Sequence, residues 1–219
     1  MNGRRARRRD LSDTGTADEL SATTTVTTST TPTDIQMLQT AASLEALAVS
    51  AYQRALALPA IGGASADTVV RDFFGSTLQH HEQHLEAFNA TVTGIGGKPQ
   101  RSPDPALAAV VAEAVIGLAS PASVVALALA IEQVLSETYV SNTSALSDAD
   151  AKKLCASVMG VEAQHAAVLL AFQAVSSADP TGIDRGTPDG LPATVTSAGF
   201  PTAFYPTDKA RPAGEGATS

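Results

Sequence analysis

From residue 34 to about residue 177, apolar side chains recur at heptad steps, the spacing that lines one face of an α-helix, and the pattern divides into four long helices. The first is predicted to open at a capping box, Thr33-Asp34-Ile35-Gln36, and to run to about Leu58, ahead of "PAIGG". The second is predicted from near Ser65 to "GIGG" at 94–97. A shorter helical piece, about 105–118, stops at Ser120-Pro121. There the serine can cap, and the proline can open, a third long helix over about 121–142. The fourth opens after Ser147 ("SDAD") and ends near Ser176.

Short loops join helices one and two, and three and four, which makes each pair an antiparallel hairpin. The link between two and three is long. The expected fold is all-α: an antiparallel four-helix bundle over 34–177 with one long crossover between helices two and three. Residues 1–33, basic and then Thr-rich ("TTTVTTSTTPT"), offer nothing to bury and are expected to be a disordered arm. Residues 178–219, rich in Pro and Gly, are expected to form an irregular tail that Phe200, Phe204 and Tyr205 pin across the bundle.

Composition supports close helix packing. The 219 residues are 44% hydrophobic but only 4% aromatic, with no Trp, so the core is built from small aliphatic side chains. The net charge of −8 is unevenly spread: five arginines lie within residues 1–9, and the rest of the chain has nine basic against 22 acidic residues. Such a body disfavours nucleic acid and anionic membranes, leaving the Arg-rich arm as the one segment that could touch either, nucleic acid being the named candidate. The arm resembles the start of an export signal, but no apolar segment follows it. A cytoplasmic location is therefore expected, with export only if the natural N-terminus differs. The uncharged run 114–131 is broken by Ser120-Pro121 and abuts Glu132, so no membrane span is expected. The single cysteine, Cys155, has no internal disulfide partner and is expected in the core.

The heptad stripes are not purely apolar. Helix one presents Leu38, Glu45 and Tyr52, and helix two Val70, Phe74, Thr77, His81, His84 and Phe88. Helix three presents Val125, Ala128, Glu132, Leu135 and Tyr139, and helix four Cys155, Val158, Glu162, His165, Leu169 and Phe172. Near its middle, each helix thus turns ionisable groups toward the core: Glu45, His81, His84, Glu132, Glu162 and His165. Burying such groups unpaired costs several kcal/mol each, and a bound cation offsets that cost directly. The pattern also repeats. "LEALAVSAY" (44–52) matches "IEQVLSETY" (131–139), each with Tyr seven residues after Glu, and "HEQH" (81–84) matches "EAQH" (162–165). Two copies of one Glu-helix, His-helix unit, packed about a pseudo-twofold axis, would bring all these groups to one point.

These residues resemble the ferritin-like superfamily of di-iron and di-manganese carboxylate bundles over about residues 35–177. Within it they are most similar to the bacterial ferritin-like domain proteins akin to desiccation-related proteins. The resemblance implies one Glu from each of helices one and three, and Glu-x-x-His from each of helices two and four. Glu45 and Glu132 match the first role, Glu162 with His165 matches the second, and His84 matches its histidine half. At position 81 a histidine stands where the pattern has a bridging Glu, and Glu82 falls one place off the seam. Three carboxylates and three imidazoles carry less negative charge than four and two. The implied cofactor is iron, as a di-iron or a mononuclear site, with manganese or zinc as alternatives.

For activity, the resemblance implies oxidation of Fe(II) with oxygen or peroxide, a ferroxidase- or peroxidase-like reaction in oxidative-stress protection. Tyr52 and Tyr139 are candidate electron donors beside the metal, or simple hydrogen-bond partners of buried carboxylates. The competing reading is a non-catalytic helical module whose cluster is a polar core or a single structural metal site. His80, off the stripe, is expected to be exposed or structural, and Glu86, Glu113 and Glu137 solvated. The long crossover and irregular tail suggest a monomer or homodimer.

Overall fold

Helices form where the stripes predict them. The computed structural model describes residues 32–118, 120–178 and 203–218; the arm up to residue 31, and Phe200, lie outside the described residues. The elements are α1 (Pro32–Ala57), α2 (Pro59–Gly62), α3 (Thr68–Gly94), α4 (Ala108–Ile116), α5 (Pro121–Ala145) and α6 (Ala149–Ala178). Among the described residues there is no strand.

The helix ends are set by side-chain oxygens that accept from otherwise unpaired backbone N–H groups. Ser120 caps α5 in a reciprocal capping box with Ser123, and Pro121 opens the helix, as the sequence predicts. Other ends depart from expectation. Helix α1 begins at Pro32, so Thr33 lies inside the helix rather than capping it. "PAIGG" is not a plain loop but holds the one-turn α2, started by Pro59. Helix α3 starts at Thr68, a little after the predicted start near Ser65, because Asp67 caps it by accepting from the N–H groups of Val69 and Val70. The crossover piece is shorter than expected because Asp104 turns the chain first, accepting from the N–H groups of Ala106 and Leu107.

Side-chain contacts give the directions of the long helices. Tyr52 of α1 reaches Glu132 of α5, while Tyr139 of α5 reaches Glu45 of α1, so these helices run antiparallel. Phe73 of α3 meets Phe172 of α6, while His84 lies by Glu162, so that pair is antiparallel too. With hairpins α1–α3 and α5–α6, and α4 in the crossover, the result is the expected four-helix bundle. Its interior has two apolar clusters. One holds Leu38, Phe88, Leu135, Tyr139, Cys155 and Val158. The other holds Tyr52, Ile61, Phe74, Val125, Ala166 and Leu169. The ionisable residues of all four helices lie between the two.

By length and composition alone, α5 and the Ala149–Val175 part of α6 are apolar enough to cross a membrane. Here both are bundle helices that turn Glu132, Glu162 and His165 inward. The uncharged run 114–131 is divided between α4 and α5.

The described part of the tail, 203–218, is irregular and lies along α1 and α5. Phe204 is 86% exposed, while Tyr205 is half-buried with its side chain at Ser136 of α5, and hydrogen bonds hold the rest. The Thr40 hydroxyl donates to the Ala213 carbonyl and accepts from the Gly216 N–H, and the Gln100 amide donates to the Gly216 carbonyl. Glu137, expected in solvent, is 2% exposed because the tail covers it, and its carboxylate accepts from the Lys209 N–H.

Candidate metal centre

The six inward-facing residues predicted from the stripes meet in one layer. Glu45, His81, Glu132 and Glu162 are fully buried, His165 nearly so, and the His84 side chain is 14% exposed. Helical spacing explains the meeting: three-residue steps keep His81 with His84, and Glu162 with His165, on one face of α3 and of α6.

His81 occupies the middle. Its Nδ1 lies 2.9 Å from Glu45 Oε2 and its Nε2 lies 3.1 Å from Glu132 Oε1. His165 Nδ1 lies 2.9 Å from Glu162 Oε2 and 3.4 Å from Glu132 Oε2. His84 Nδ1 is 2.7 Å from Glu162 Oε1, aligned so that no hydrogen bond forms. The tyrosines complete the repeat: Tyr139 donates to Glu45 Oε1 at 2.6 Å, and Tyr52 donates to Glu132 Oε1.

Burial and mutual charge set the protonation of this layer. Burial alone would lower the pKa of His81, but the charges of Glu162 and Glu132, with hydrogen bonds to Glu132 and Glu45, hold it well above the usual imidazole range. His165 is raised to about 9, its burial outweighed by Glu132 and Glu162. His84 is lowered, chiefly by burial, against the pull of Glu45. The two coupled carboxylates are driven apart. Burial would raise both, but the His81 charge holds Glu132 well below the usual range, while Glu162 goes well above it because burial, Glu45 and Glu132 outweigh His81. Burial, then the adjacent carboxylates, pushes both tyrosines well up.

The periodicity missed one member of this group. His80, expected to be exposed or structural, is exposed, but its ring also lies nearly parallel to that of His165 at 5.3 Å and 12°, with His80 Nδ1 3.0 Å from His165 Nε2. A pair of histidines 85 residues apart gives no local signal. Glu82 points out to solvent, as its register requires, and Glu86 and Glu113 are exposed as expected. Cys155 is a buried core thiol, pushed up to about 12 mainly by that burial.

A Glu on each of α1 and α5 and Glu-x-x-His on α6, facing inward at mid-bundle, follow the ferritin-like ligand pattern except at His81 of α3, and a family model for the ferritin-like domain matches residues 33–174. The chain belongs to the ferritin-like domain family. Searches of curated proteins and of solved structures gave no significant match.

Within this ferritin-like layer, two overlapping groups of side chains can each hold a metal ion: Glu45, His81, His84 and Glu162, and His81, Glu132, Glu162 and His165. In each, one donor atom per residue lies within 4.8 Å of all the others. Among the described residues, five buried side-chain polar atoms lack a hydrogen-bond partner, and three of them are here: His84 Nδ1, Glu132 Oε2 and Glu162 Oε1. Buried polar atoms normally find partners, so lone pairs left free at one place fit a cation.

Proposed function

We propose that the chain binds a transition-metal ion, iron in the first place, through Glu45, His81, His84, Glu132, Glu162 and His165, and oxidises Fe(II) with peroxide or oxygen in protection against oxidative stress. The observation that carries this reading is the crowding of carboxylate and imidazole donor atoms into one buried layer, three of them without a hydrogen bond and in ion-pair range of one another or of His165. His81 bears on stoichiometry. It is shared by both donor groups, and a neutral imidazole offers one free lone pair, so it serves one ion at a time. One ion per chain is the occupancy this favours.

Iron(II) in the site supplies the reducing electron and is itself the substrate. With hydrogen peroxide the overall balance would be two iron(II) oxidised to iron(III) for each O–O bond broken, with two protons taken up to give two waters. The chain's own part is to bind, orient and seal. Tyr139 and Tyr52 hold Glu45 and Glu132 in place. The apolar clusters on either side keep bulk water out and strengthen every charge interaction between them. The partly exposed edge at His84 is the side by which small reactants arrive.

The test is peroxide consumption after anaerobic loading with iron(II), for the natural chain and for His84→Ala/His165→Ala. Consumption faster than with the same iron free in solution, and lost in the variant, is expected. A rate equal to that of free iron would contradict the oxidase reading.

One observation favours a second, non-catalytic reading: both nitrogens of His81 are already within hydrogen-bond distance of carboxylates. The layer would then be a structural ion-pair core. Under that reading the double variant loses stability and there is no turnover to lose.

A further inference from the structure

His80 has no place in the ligand set and stands one residue before it on α3, with an exposed side chain. Its ring is nevertheless nearly parallel to that of His165, 12° apart with centroids 5.3 Å apart, and the two meet edge to edge, Nδ1 to Nε2 at 3.0 Å. The other nitrogen of His165, Nδ1, faces the site, 2.9 Å from Glu162 and 3.4 Å from Glu132. On a further side Phe73 meets the His165 ring edge-on at 6.2 Å.

We propose that His80 is a positioning residue for His165: its Nδ1 accepts the Nε2–H of His165 and so fixes both the ring and the tautomer that presents a lone pair at Nδ1. The inference rests on the metal-binding reading above. A neutral imidazole carries one proton, and a proton on Nδ1 leaves nothing there for a cation. An acceptor at Nε2 draws that proton to the outer nitrogen and raises the basicity of the inner one, which is how the outer partners of metal-binding histidines act in general. That partner is commonly a carboxylate, a backbone carbonyl or water. Here an imidazole takes the place, and it stands at the surface, where losing it opens no cavity. His84, the counterpart of His165 on α3, shows no such bond at its outer nitrogen among the described contacts. The two halves of the repeat therefore differ in how firmly their histidines are held.

The experiment uses the full chain labelled with nitrogen-15 at histidine, with zinc(II) as a diamagnetic probe, and compares the natural protein with His80→Ala and His80→Asn. Zinc affinity is expected to fall roughly 10–100-fold in His80→Ala and to recover in part in His80→Asn, whose side-chain carbonyl can accept. In the zinc-loaded natural protein the His165 Nε2–H is expected to exchange slowly, and in His80→Ala quickly, with the melting temperature of the metal-free protein little changed. Unchanged affinity together with an unchanged His165 Nε2–H signal in His80→Ala would overturn the proposal. So would a zinc-induced shift at a ring nitrogen of His80 as large as that at His165 Nδ1, which would make His80 a ligand. If the natural protein itself binds no zinc and no iron(II), the metal reading fails and this inference fails with it. That pattern is distinct from binding that merely ignores His80.

Discussion

At position 81 an imidazole lies between Glu45 and Glu132 with both ring nitrogens engaged, and Tyr139 and Tyr52 brace the same two carboxylates from behind. In the metal-free protein, protons on His81 and His165 supply the positive charge that this acidic layer needs. An imidazole whose pKa rises on folding stabilises the fold below its unfolded value and loses that contribution as pH climbs through its folded value. Chelator-treated protein should therefore lose stability as pH rises from the unfolded value, near 6.5, to about 9, the value of His165. Melting temperatures across that window check this, and a flat or rising series would contradict it. Tyr52→Phe removes a donor from the buried Glu132 carboxylate and should cost about 1.5–3 kcal/mol in urea unfolding, the range for a hydrogen bond to a charged group. The six inward residues were legible because heptad position fixes which side of a helix faces the core. His80 and Glu137 were not. A long side chain can reach round from an off-stripe position, and a carboxylate can be covered by a tail 72 residues away; neither leaves a periodic trace.

Among the elements, the long helices were legible end to end, apart from a few residues at their starts. At α3 and α6 a serine and an aspartate both stand before the helix, and the carboxylate, the stronger acceptor, takes the backbone N–H groups. Asp67 caps α3, and Asp148 accepts from Ala151 at the start of α6. Asp34, read as part of a capping box, has a different task. Its carboxylate accepts from the Ser147 N–H and hydroxyl and from the Asp148 N–H, tying the start of α1 to the turn between α5 and α6. This bond joins the two hairpins at one end of the bundle. Asp34→Ala should destabilise the protein by about 2 kcal/mol or more, visible as a lower urea midpoint. A midpoint within error of the natural chain would show that the hairpins are held by core packing alone.

Across the whole molecule, two apolar clusters seal a charged layer, and the tail straps one end of the assembly. The strap is tight at Gly216, where an added Cβ would lie 2.7 Å from Ser43 Cβ and 3.1 Å from the Thr40 backbone. Gly216→Val should release the tail without unfolding the bundle, so limited proteolysis should cut it near the C-terminus faster while the helical content is unchanged. Equal cleavage rates would mean that the strap is not held at that point. The tail's course was not legible, because its hold on Thr40 and Gln100 uses backbone groups that any sequence possesses. The site, in contrast, follows from a duplicated hairpin. Its central claim is that the charged layer holds a metal, and elemental analysis by plasma mass spectrometry tests this most directly. The comparison is between protein purified without chelators and the His84→Ala/His165→Ala variant. About one iron per chain in the natural protein and none in the folded variant is the predicted result. No bound metal in the natural protein, even after anaerobic addition of iron(II), would contradict it and leave the layer as a structural ion-pair core.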